Sequence, residues 1–283
     1  MVSLKAYAKL NLTLDITGAA DGFHMLDSLV CSVDLYDLIR LRKRRDNKVC
    51  IEMRGLGTES LPPESNNAYR AAEAFVKNFQ TSGADIIIYK NIPLAAGMGG
   101  SSADAAGVLR GMARLYGVGS ERQLKELADT LGSDTGYMLT GGFARLQGRG
   151  ERVESLDIDS RLNLLALLPE SGVSTAECYA LYDRAPSLTR TTGAAVEALK
   201  KGDLTALGKA LDNALYKPAI GLNNCVERAY EELKEFDPLG VTMTGSGSAV
   251  VALFENAEFC AYANSRYRGK FKTLQLKTII PKI

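Results

Sequence analysis

The sequence has no excess of charge of either sign and very little histidine. Lys and Arg total 34, and Asp and Glu total 33, so no overall field attracts a nucleic acid or an anionic membrane. The single histidine, His24, has no cysteine pair or second histidine beside it to form a zinc site. We therefore expect no resident metal site, no nucleic-acid partner and no membrane partner, and any anion must be bound locally.

Cysteine pairs and long apolar runs are also missing. The five cysteines are scattered without a Cys-x-x-Cys pair, which argues against a disulfide framework and predicts reduced thiols in a cytosolic protein. Lys5 and Lys9 come before any apolar stretch long enough for a signal peptide or a bilayer span. We expect a cytoplasmic location.

The composition itself is that of a globular protein. Of the 283 residues, 46% are hydrophobic and 24% are charged, which is ordinary for a chain with a sizeable core. No internal repeat or long linker interrupts it. The stretch from Gly148 to Asp157 is polar and poor in apolar runs, which predicts an N-terminal domain of residues 1–157 and a C-terminal domain of residues 158–283.

The most informative stretch lies between a predicted strand at 84–89 and a predicted helix that starts near Ser101. Glycines 97, 99 and 100 can take positive φ and let backbone N–H groups approach an anion, and Ser101 with Asp104 fits a capping box. The lysine of a Walker loop and the Gly-x-Gly-x-x-Gly spacing of a dinucleotide site are both missing. The pattern predicts a phosphate cradle at a helix start, with a simple tight turn as the alternative.

Several other polar residues lie at positions where either a functional role or an ordinary structural role is possible. Lys9 and Asn11 share one face of a strand predicted within residues 3–16, and that face is either functional or solvated. His24 lies in a predicted loop, residues 17–28. Asn66 is the predicted N-cap of a helix, and Asp134 lies in a glycine-bounded turn where a carboxylate is usually a turn former.

The remaining elements are ordinary. A strand is predicted at 30–41 with a solvated basic run at its end, and an amphipathic helix is predicted at 120–131 with Ser120 as its N-cap. A strand is predicted at 162–168 and helices over much of 193–236. A glycine turn between two strands is predicted within 239–254.

Three of these segments, in order, resemble the motifs of the GHMP kinases. Pro93-Leu-Ala-Ala-Gly-Met-Gly-Gly-Ser-Ser-Ala resembles their phosphate loop, and Gly132-Ser-Asp-Thr-Gly resembles the segment that carries their catalytic aspartate. Thr244-Gly-Ser-Gly-Ser-Ala resembles their third motif. Lys9-Leu-Asn-Leu followed by Asp21-Gly-Phe-His resembles the branch of the family whose acceptor is a cytidine diphosphate polyol. The resemblance covers nearly the whole chain.

The resemblance implies an α+β fold of two domains, with the active site in the cleft between an N-terminal α+β domain and a ferredoxin-like C-terminal domain. It implies an ATP-dependent small-molecule kinase that uses a magnesium ion. The implied acceptor is the 2-hydroxyl of 4-diphosphocytidyl-2-C-methyl-D-erythritol, in non-mevalonate isoprenoid precursor synthesis. The implied partners are this polyol and ATP, and the protein would be a monomer or a homodimer.

The resemblance also implies roles for individual residues. Lys9 and Asp134 would be catalytic, with Asp134 as the base. ATP would be bound by Asn66, Pro93, Gly97, Gly99, Gly100, Ser101 and Ser102. The acceptor would be bound by Asn11, Phe23, His24, Thr175, Tyr179, Thr244 and Gly245. In this scheme His24 would read the cytosine edge, and Phe23 with Tyr179 or Tyr182 would stack on the base.

The chain departs from the family pattern at a few positions. Ala19 and Ala20 stand where a basic residue is usual, Ser101 where a glycine is common, Ala103 where a serine is common, and Phe23 where a tyrosine is common. These departures leave two alternatives open. One is a GHMP kinase with a homoserine-like or mevalonate-like acceptor, and the other is a non-catalytic, nucleotide-binding paralogue.

Overall fold

The structure, a computed structural model, describes residues 1–55 and 66–281. Within them the chain forms two β-sheets with helices packed against them. The larger sheet contains β1 (Val2–Asn11), β2 (Thr13–Ala20), β3 (Phe23–Lys43), β4 (Cys50–Gly55), β5 (Ala84–Lys90), β6 (Phe143–Gly148), β7 (Arg152–Leu156) and β9 (Asp212–Asn213). The smaller sheet contains β8 (Asn163–Leu168), β10 (Gly240–Met243), β11 (Val250–Phe254) and β12 (Lys272–Lys277).

The helices follow the strands in an irregular alternation. They are α1 (Asn67–Phe79), α2 (Gly100–Tyr116), α3 (Glu121–Asp129), α4 (Thr135–Thr140), α5 (Thr175–Arg184), α6 (Thr192–Lys201), α7 (Leu204–Ala210), α8 (Tyr216–Leu222), α9 (Cys225–Lys234) and α10 (Ala257–Arg266). None of the helices in the described part of the chain combines the length and the apolar character needed to cross a membrane.

The long strand β3 organises the larger sheet. Successive parts of its 21 residues pair antiparallel with β1, β2, β5 and β6. Strand β4 is parallel to β5, β7 is antiparallel to β6, and the short β9 is parallel to β2. Since β9 comes from the second half of the chain, that half also contributes to the larger sheet.

The smaller sheet has the order β10-β11-β8-β12, with antiparallel pairing throughout. Helices α5 to α9 lie between β8 and β10 in sequence, and α10 lies between β11 and β12, which is the β-α-β-β-α-β order of ferredoxin-like folds. The predicted two-part α+β fold with a ferredoxin-like C-terminal part is confirmed. The boundary between residues 157 and 158 stays a prediction; the chain passes from β7 to β8 between Leu156 and Asn163.

Small residues let α2 pack closely on the larger sheet. Gly107 and Gly111 face Ile39 and Leu41 of β3, and an added Cβ at either glycine would collide with those side chains. The helix α1 covers the same core with the fully buried Phe75. A second core lies between the smaller sheet and α5, α8 and α9. Each core packs one part of the molecule, the larger sheet or the ferredoxin-like part. Both parts are therefore rigid where they hold the segments between them.

The predicted strand and loop at the start of the chain are wrong in detail. The strand predicted within 3–16 is interrupted at Leu12, so β1 ends and β2 begins there. The loop predicted at 17–28 is a hairpin in which β2 and β3 pair and His24 lies opposite Ala19. Its turn uses Asp21 and Gly22, both at positive φ, and this turn chemistry accounts for the local signal of a loop.

The predicted helix starts are partly confirmed. Asn66 is the N-cap of α1 and accepts a hydrogen bond from the Ala68 N–H at 2.9 Å, and Ser120 forms a capping box at α3. The capping box predicted at Ser101 is wrong, because α2 begins at Gly100 with Gly99 as its N-cap. The Asp104 side chain is instead buried beneath the helix start.

Candidate active site

A cavity of about 490 Å³ lies where the larger sheet, the ferredoxin-like part and the segment between β5 and α2 meet. We call this segment, residues 91–99, the glycine loop. The cavity lining includes most of the predicted site residues: Lys9, Asn11, Pro93, Gly97, Gly99, Gly100, Ser101, Ser102, Asp134, Thr175, Tyr179 and Gly245. Residues from distant parts of the sequence therefore share one opening.

The glycine loop has the backbone shape of an anion cradle. Gly97 and Gly99 have φ of 74° and 71°, a region that side chains with a Cβ rarely adopt, whereas Gly100 is the first residue of α2. No side chain in the described part of the chain caps this helix. The N–H groups of its first turn therefore stay available, with the positive end of the helix dipole, beside a cavity lined by Ser101 and Ser102.

Neighbouring backbone holds the glycine loop in place. The Lys9 N–H donates to the Met98 carbonyl at 3.0 Å, and the Ala249 N–H donates to the Ala96 carbonyl at 3.3 Å. The loop is thus fixed from β1 on one side and from the turn between β10 and β11 on the other. A cradle held on both sides is preorganised, which lowers the ordering cost of binding a phosphate chain.

Thr244 connects the turn to both β1 and the glycine loop. Its Oγ1 accepts a hydrogen bond from the Asn11 N–H at 2.9 Å and donates to the Gly97 carbonyl at 3.2 Å. Asn213 supports the turn from β9, since its Nδ2 donates to the carbonyls of Met243 at 2.6 Å and Gly245 at 2.9 Å. Thr244 acts behind the cavity wall, and the lining itself comes from Gly245.

Lys9 and Asp134 form an ion pair inside the cavity. The distance from Lys9 Nζ to Asp134 Oδ2 is 3.2 Å, and the side chains are 5% and 31% exposed. Lys9 Nζ also donates to Asn11 Oδ1, and Asn11 Nδ2 donates to Ser28 Oγ at 2.8 Å. The alternative of a solvated strand face is therefore wrong, because Lys9 and Asn11 are both buried.

The short helix α4 fixes the position of Asp134. Asp134 is the residue before the helix, and its side chain makes no capping hydrogen bond, so the carboxylate is free to face the cavity. Tyr137, one turn later, is fully buried and its hydroxyl donates to the Gly142 carbonyl at 2.7 Å. Burial raises the pKa of Tyr137, so this residue is a neutral anchor for the helix.

The aromatic residues are arranged differently from the predicted base stack. The Tyr179 ring stacks on the His24 ring with centroids 4.6 Å apart, and His24 Nε2 lies 2.7 Å from Asp183 Oδ1. The Phe23 ring, 51% exposed, lies under the Arg149 guanidinium at 4.7 Å. Burial, with a contribution from Asp134, raises the pKa of Tyr179. The cytosine-binding role of these rings stays a prediction.

Sequence reasoning missed several residues of the cavity. Arg149 lines it from a Gly-Arg-Gly turn after β6, and those two glycines were the only local signal for this role. Ser28 also lines it, and Ser246 bonds Thr175 through their hydroxyl oxygens at 2.7 Å. Ser28 has no distinctive spacing, so only the fold brings it to the site, whereas Ser246 lies within the Thr244-Gly-Ser-Gly-Ser-Ala motif but was not itself predicted as a site residue.

Asn66 has a confirmed structural role as a helix cap and a predicted role in nucleotide binding. Its side chain caps α1, and Nδ2 lies 2.7 Å from the Met53 sulfur; it is not part of the described cavity lining. Its contact with a nucleotide stays a prediction. The described residues contain no cluster of three or more His, Cys, Asp or Glu side chains able to hold a metal ion.

A glycine loop at a helix start, with a lysine and an aspartate in the same cavity, is the arrangement that phosphoryl transfer requires. Family models for the GHMP kinases N terminal domain and the GHMP kinases C terminal domain match residues 66–144 and 195–267. The chain therefore belongs to the GHMP kinases, and it is an ATP-dependent small-molecule kinase.

Relatives that match over nearly their full length indicate which GHMP kinases the chain is similar to. The 4-diphosphocytidyl-2-C-methyl-D-erythritol kinase of Caldicellulosiruptor saccharolyticus is 35% identical over 280 residues, covering 97% of this chain and 96% of the relative. The enzyme of the same name from Pelotomaculum thermopropionicum is 37% identical over 273 residues, covering 95% and 94%.

Solved structures agree with this placement. A crystal structure of 4-(cytidine 5'-diphospho)-2C-methyl-D-erythritol kinase has a TM-score of 0.82 at 28% identity, covering 98% of this chain and 99% of that one. The homoserine kinase from Cytophaga hutchinsonii has a TM-score of 0.75 at 18% identity, covering 98% and 95%. The second match shows the shared fold alone.

Proposed function

We propose that the protein transfers the γ-phosphoryl group of ATP to the 2-hydroxyl of 4-diphosphocytidyl-2-C-methyl-D-erythritol. The observation that carries the proposal is the ion pair of buried Lys9 and Asp134 in the same cavity as the glycine loop. The names of the full-length relatives support the choice of acceptor. A cytoplasmic location and a monomeric or homodimeric state are part of the same proposal.

The glycine loop and the first turn of α2 are the proposed site for the ATP phosphates. Their N–H groups and the hydroxyls of Ser101 and Ser102 would bind phosphate oxygens or a magnesium-bound water. A magnesium ion, when bound with ATP, would supply neutralisation of phosphate charge in this reaction class. The described residues lack a carboxylate cage for it, so it would be bound mainly through the nucleotide.

Asp134 is the proposed general base. It accepts the proton of the acceptor hydroxyl as that oxygen forms a bond to the γ-phosphorus, while the bond from the γ-phosphorus to the bridging oxygen breaks and ADP leaves. Lys9 orients the Asp134 carboxylate and lies close enough to neutralise charge on the group in transfer. Asn11 holds the Lys9 ammonium in place.

The rings around His24 are the proposed cytidine site. A cytosine that hydrogen-bonds His24 Nε2 must take the place of the Asp183 carboxylate, which is 59% exposed and free to turn away. Phe23 and Tyr179 would then contribute aromatic surface to the base. Thr175 and Gly245 line the cavity between these rings and the glycine loop, where the polyol would lie.

ADP release in the presence of different acceptors tests the proposal. We expect turnover with 4-diphosphocytidyl-2-C-methyl-D-erythritol and none above background with homoserine or mevalonate. Turnover with homoserine or mevalonate alone would contradict the proposed acceptor and favour another GHMP kinase activity. ATP binding without turnover on any of the three would contradict catalysis and favour a nucleotide-binding paralogue.

A further inference from the structure

A buried ion cluster lies beneath the glycine loop, outside the cavity lining. Lys90, the last residue of β5, donates through Nζ to Asp104 Oδ2 at 2.5 Å and to Asp37 Oδ2. The three side chains are at most 3% exposed. Buried charges persist only when they are paired and hydrogen-bonded, so the cluster depends on all three members.

The cluster joins the two ends of the glycine loop. Asp37 Oδ1 accepts hydrogen bonds from the N–H groups of Asn91 at 2.5 Å and Ile92 at 2.9 Å, the first two residues of the loop. Asp104 belongs to the second turn of α2, the helix that follows the loop. Asp37 holds the first residues of the loop, and Asp104 belongs to the helix that follows the loop. Lys90 bonds both carboxylates and so connects the two ends of the loop.

The cluster also lies directly under the start of α2. A Cβ added to Gly100 would come within 3.5 Å of Lys90 Nζ, so the ammonium supports the helix at its first residue. Asp104 Oδ1 is buried and has no hydrogen-bond partner in the described part of the chain. Lys90 Nζ is the ammonium that holds Asp104 Oδ2, and its loss would weaken the connection between the helix start and the strand.

The charge state of Lys90 suits this bridging role. Burial alone would lower the pKa of Lys90, but the carboxylates of Asp104 and Asp37 outweigh burial and raise it. Lys90 thus stays an ammonium at neutral pH and can donate to both carboxylates at once.

We infer that Lys90, Asp37 and Asp104 are positioning residues that set the path of the glycine loop and thereby the affinity for the phosphates of ATP. They act through the backbone of residues 91–92 and through the start of α2, without touching a substrate. The inference rests on the proposed role of the glycine loop in binding ATP. A merely structural cluster would affect folding stability and leave the ATP affinity of the folded protein unchanged.

Asp104→Asn and Lys90→Met test the inference, with Asp85→Asn as the matched control. Asp85 is a carboxylate on the same strand that pairs with Arg42 and Arg44, away from the loop. Calorimetric titration with ATP, without acceptor, gives Kd, and steady-state kinetics give kcat and both KM values. We expect Kd and KM for ATP to rise about tenfold or more in both test variants, with the KM for the acceptor nearly unchanged. The control should match the wild type.

Hydrogen exchange provides a second readout. We expect the amides of residues 91–103 to lose protection in Asp104→Asn, while those of β8, β11 and β12 keep wild-type protection. Circular dichroism and thermal unfolding establish that each variant is folded at the assay temperature. If Lys90→Met does not fold, Asp104→Asn decides the question, because asparagine keeps the size of the side chain.

Different results would overturn the inference and the proposed function. A folded Asp104→Asn variant with wild-type Kd for ATP and wild-type exchange at 91–103 would overturn the inference. An equal rise in the KM values for ATP and acceptor would also overturn it, because that result indicates general loosening of the protein. A wild-type protein that does not bind ATP would instead overturn the proposed function.

Discussion

At the scale of single residues, the buried Lys9 fixes the position of Asp134. The Lys9 ammonium lies 3.2 Å from the Asp134 carboxylate and pairs with it inside the cavity. The amide of Asn11 and the hydroxyl of Ser28 extend the contact into a chain of hydrogen bonds. The Asp134 carboxylate is therefore oriented before any substrate arrives.

Replacement of the proposed base tests its role. Asp134→Asn removes the proton acceptor but keeps the side-chain size, so kcat should fall about 10²–10⁴-fold while the Kd for ATP stays close to the wild-type value. Asp129→Asn is the control, because Asp129 pairs with Lys125 on the surface of α3. Wild-type kcat in Asp134→Asn would remove this carboxylate from the chemistry.

Titration of Asp104 gives a prediction for stability. Burial raises the pKa of Asp104 from 3.8 to about 7, so between these values the folded state holds a proton that the unfolded chain has released. The free energy of unfolding contributed by this group therefore falls as pH rises from about 4 to 7, by about 1 kcal/mol per pH unit. The Asp104→Asn variant lacks this pH-dependent contribution to the free energy of unfolding.

Denaturant unfolding at pH 5, 6, 7 and 8 measures this pH dependence of the free energy of unfolding. The free energy of unfolding of Asp104→Asn minus that of the wild type should increase from pH 5 to pH 7 and level off above pH 7. A difference that is constant over this range would show that Asp104 is already ionised in the folded protein at pH 5.

Functional residues that belong to motifs were easier to predict from the sequence than residues whose role depends on being buried. Lys9 and Asp134 are distant in sequence, but the family resemblance assigned both to the catalytic site, and the structure places their side chains 3.2 Å apart. Asp104 was predicted to cap α2, but it is buried and bonded to Lys90. A capping pattern and a buried ion pair can have the same local spacing, and only tertiary packing decides between them.

At the scale of elements, the glycine loop depends on close approach of two backbones. Gly97 lies against the Thr244 carbonyl so tightly that no Cβ fits between them. Gly97 therefore combines a positive φ with an absence of space. A turn that needed only the positive φ would tolerate asparagine or aspartate, whereas this position admits glycine alone.

Paired glycine substitutions separate these two requirements. Gly97→Ala should displace the loop and raise the KM for ATP more than tenfold. Gly117→Ala, at the C-cap of α2, has nearly the same φ of 71° but open space around its Cβ. It should lower the free energy of unfolding by about 1 kcal/mol and leave the KM for ATP unchanged. Equal KM values for ATP in the two variants would contradict the close-approach argument.

Elements with strong periodicity were predicted well and the first hairpin was not. Strand β5, helix α1 and helix α3 match their predicted positions closely because period and capping residues agree. Residues 17–28 were predicted as a loop because Gly18 and Gly22 interrupt the alternation. In the fold, pairing with β6 extends β3 through Leu26, a long-range contact that local sequence does not encode.

At the scale of the whole molecule, the site is formed by both halves of the chain. The larger sheet provides Lys9 and supports the glycine loop, and the ferredoxin-like part provides the turn that begins at Thr244. Two predictions were made from the order of motifs, namely the α+β architecture and the cleft. The contribution of β9 to the larger sheet was not predicted, because a two-residue strand has no periodicity.

The Thr244 hydroxyl is the best place to test the contact between the halves. Thr244→Val leaves the buried Asn11 N–H without its partner and should lower the free energy of unfolding by about 1–3 kcal/mol. It should also raise the KM for ATP, because the Gly97 carbonyl loses a donor. Thr242→Val is the control, since the buried Thr242 hydroxyl donates to the adjacent Met243 carbonyl and to no other group in the described residues.

Denaturant unfolding and ATP kinetics on both variants provide the comparison. A loss of stability in Thr242→Val as large as that in Thr244→Val would show that removal of any buried hydroxyl has this effect. Wild-type KM for ATP in a folded Thr244→Val variant would show that the loop keeps its position without this contact.

The contact between Thr244 and Gly97 spans 147 positions of sequence and so has a consequence for protein synthesis. A nascent chain that has emerged as far as β7 already contains the glycine loop, Lys9 and Asp134, but it lacks the turn that fixes the loop. Domains fold largely in the order of their synthesis, so the N-terminal residues wait for the turn. The proposed ATP site is therefore complete only after Thr244 has been synthesised, late in translation.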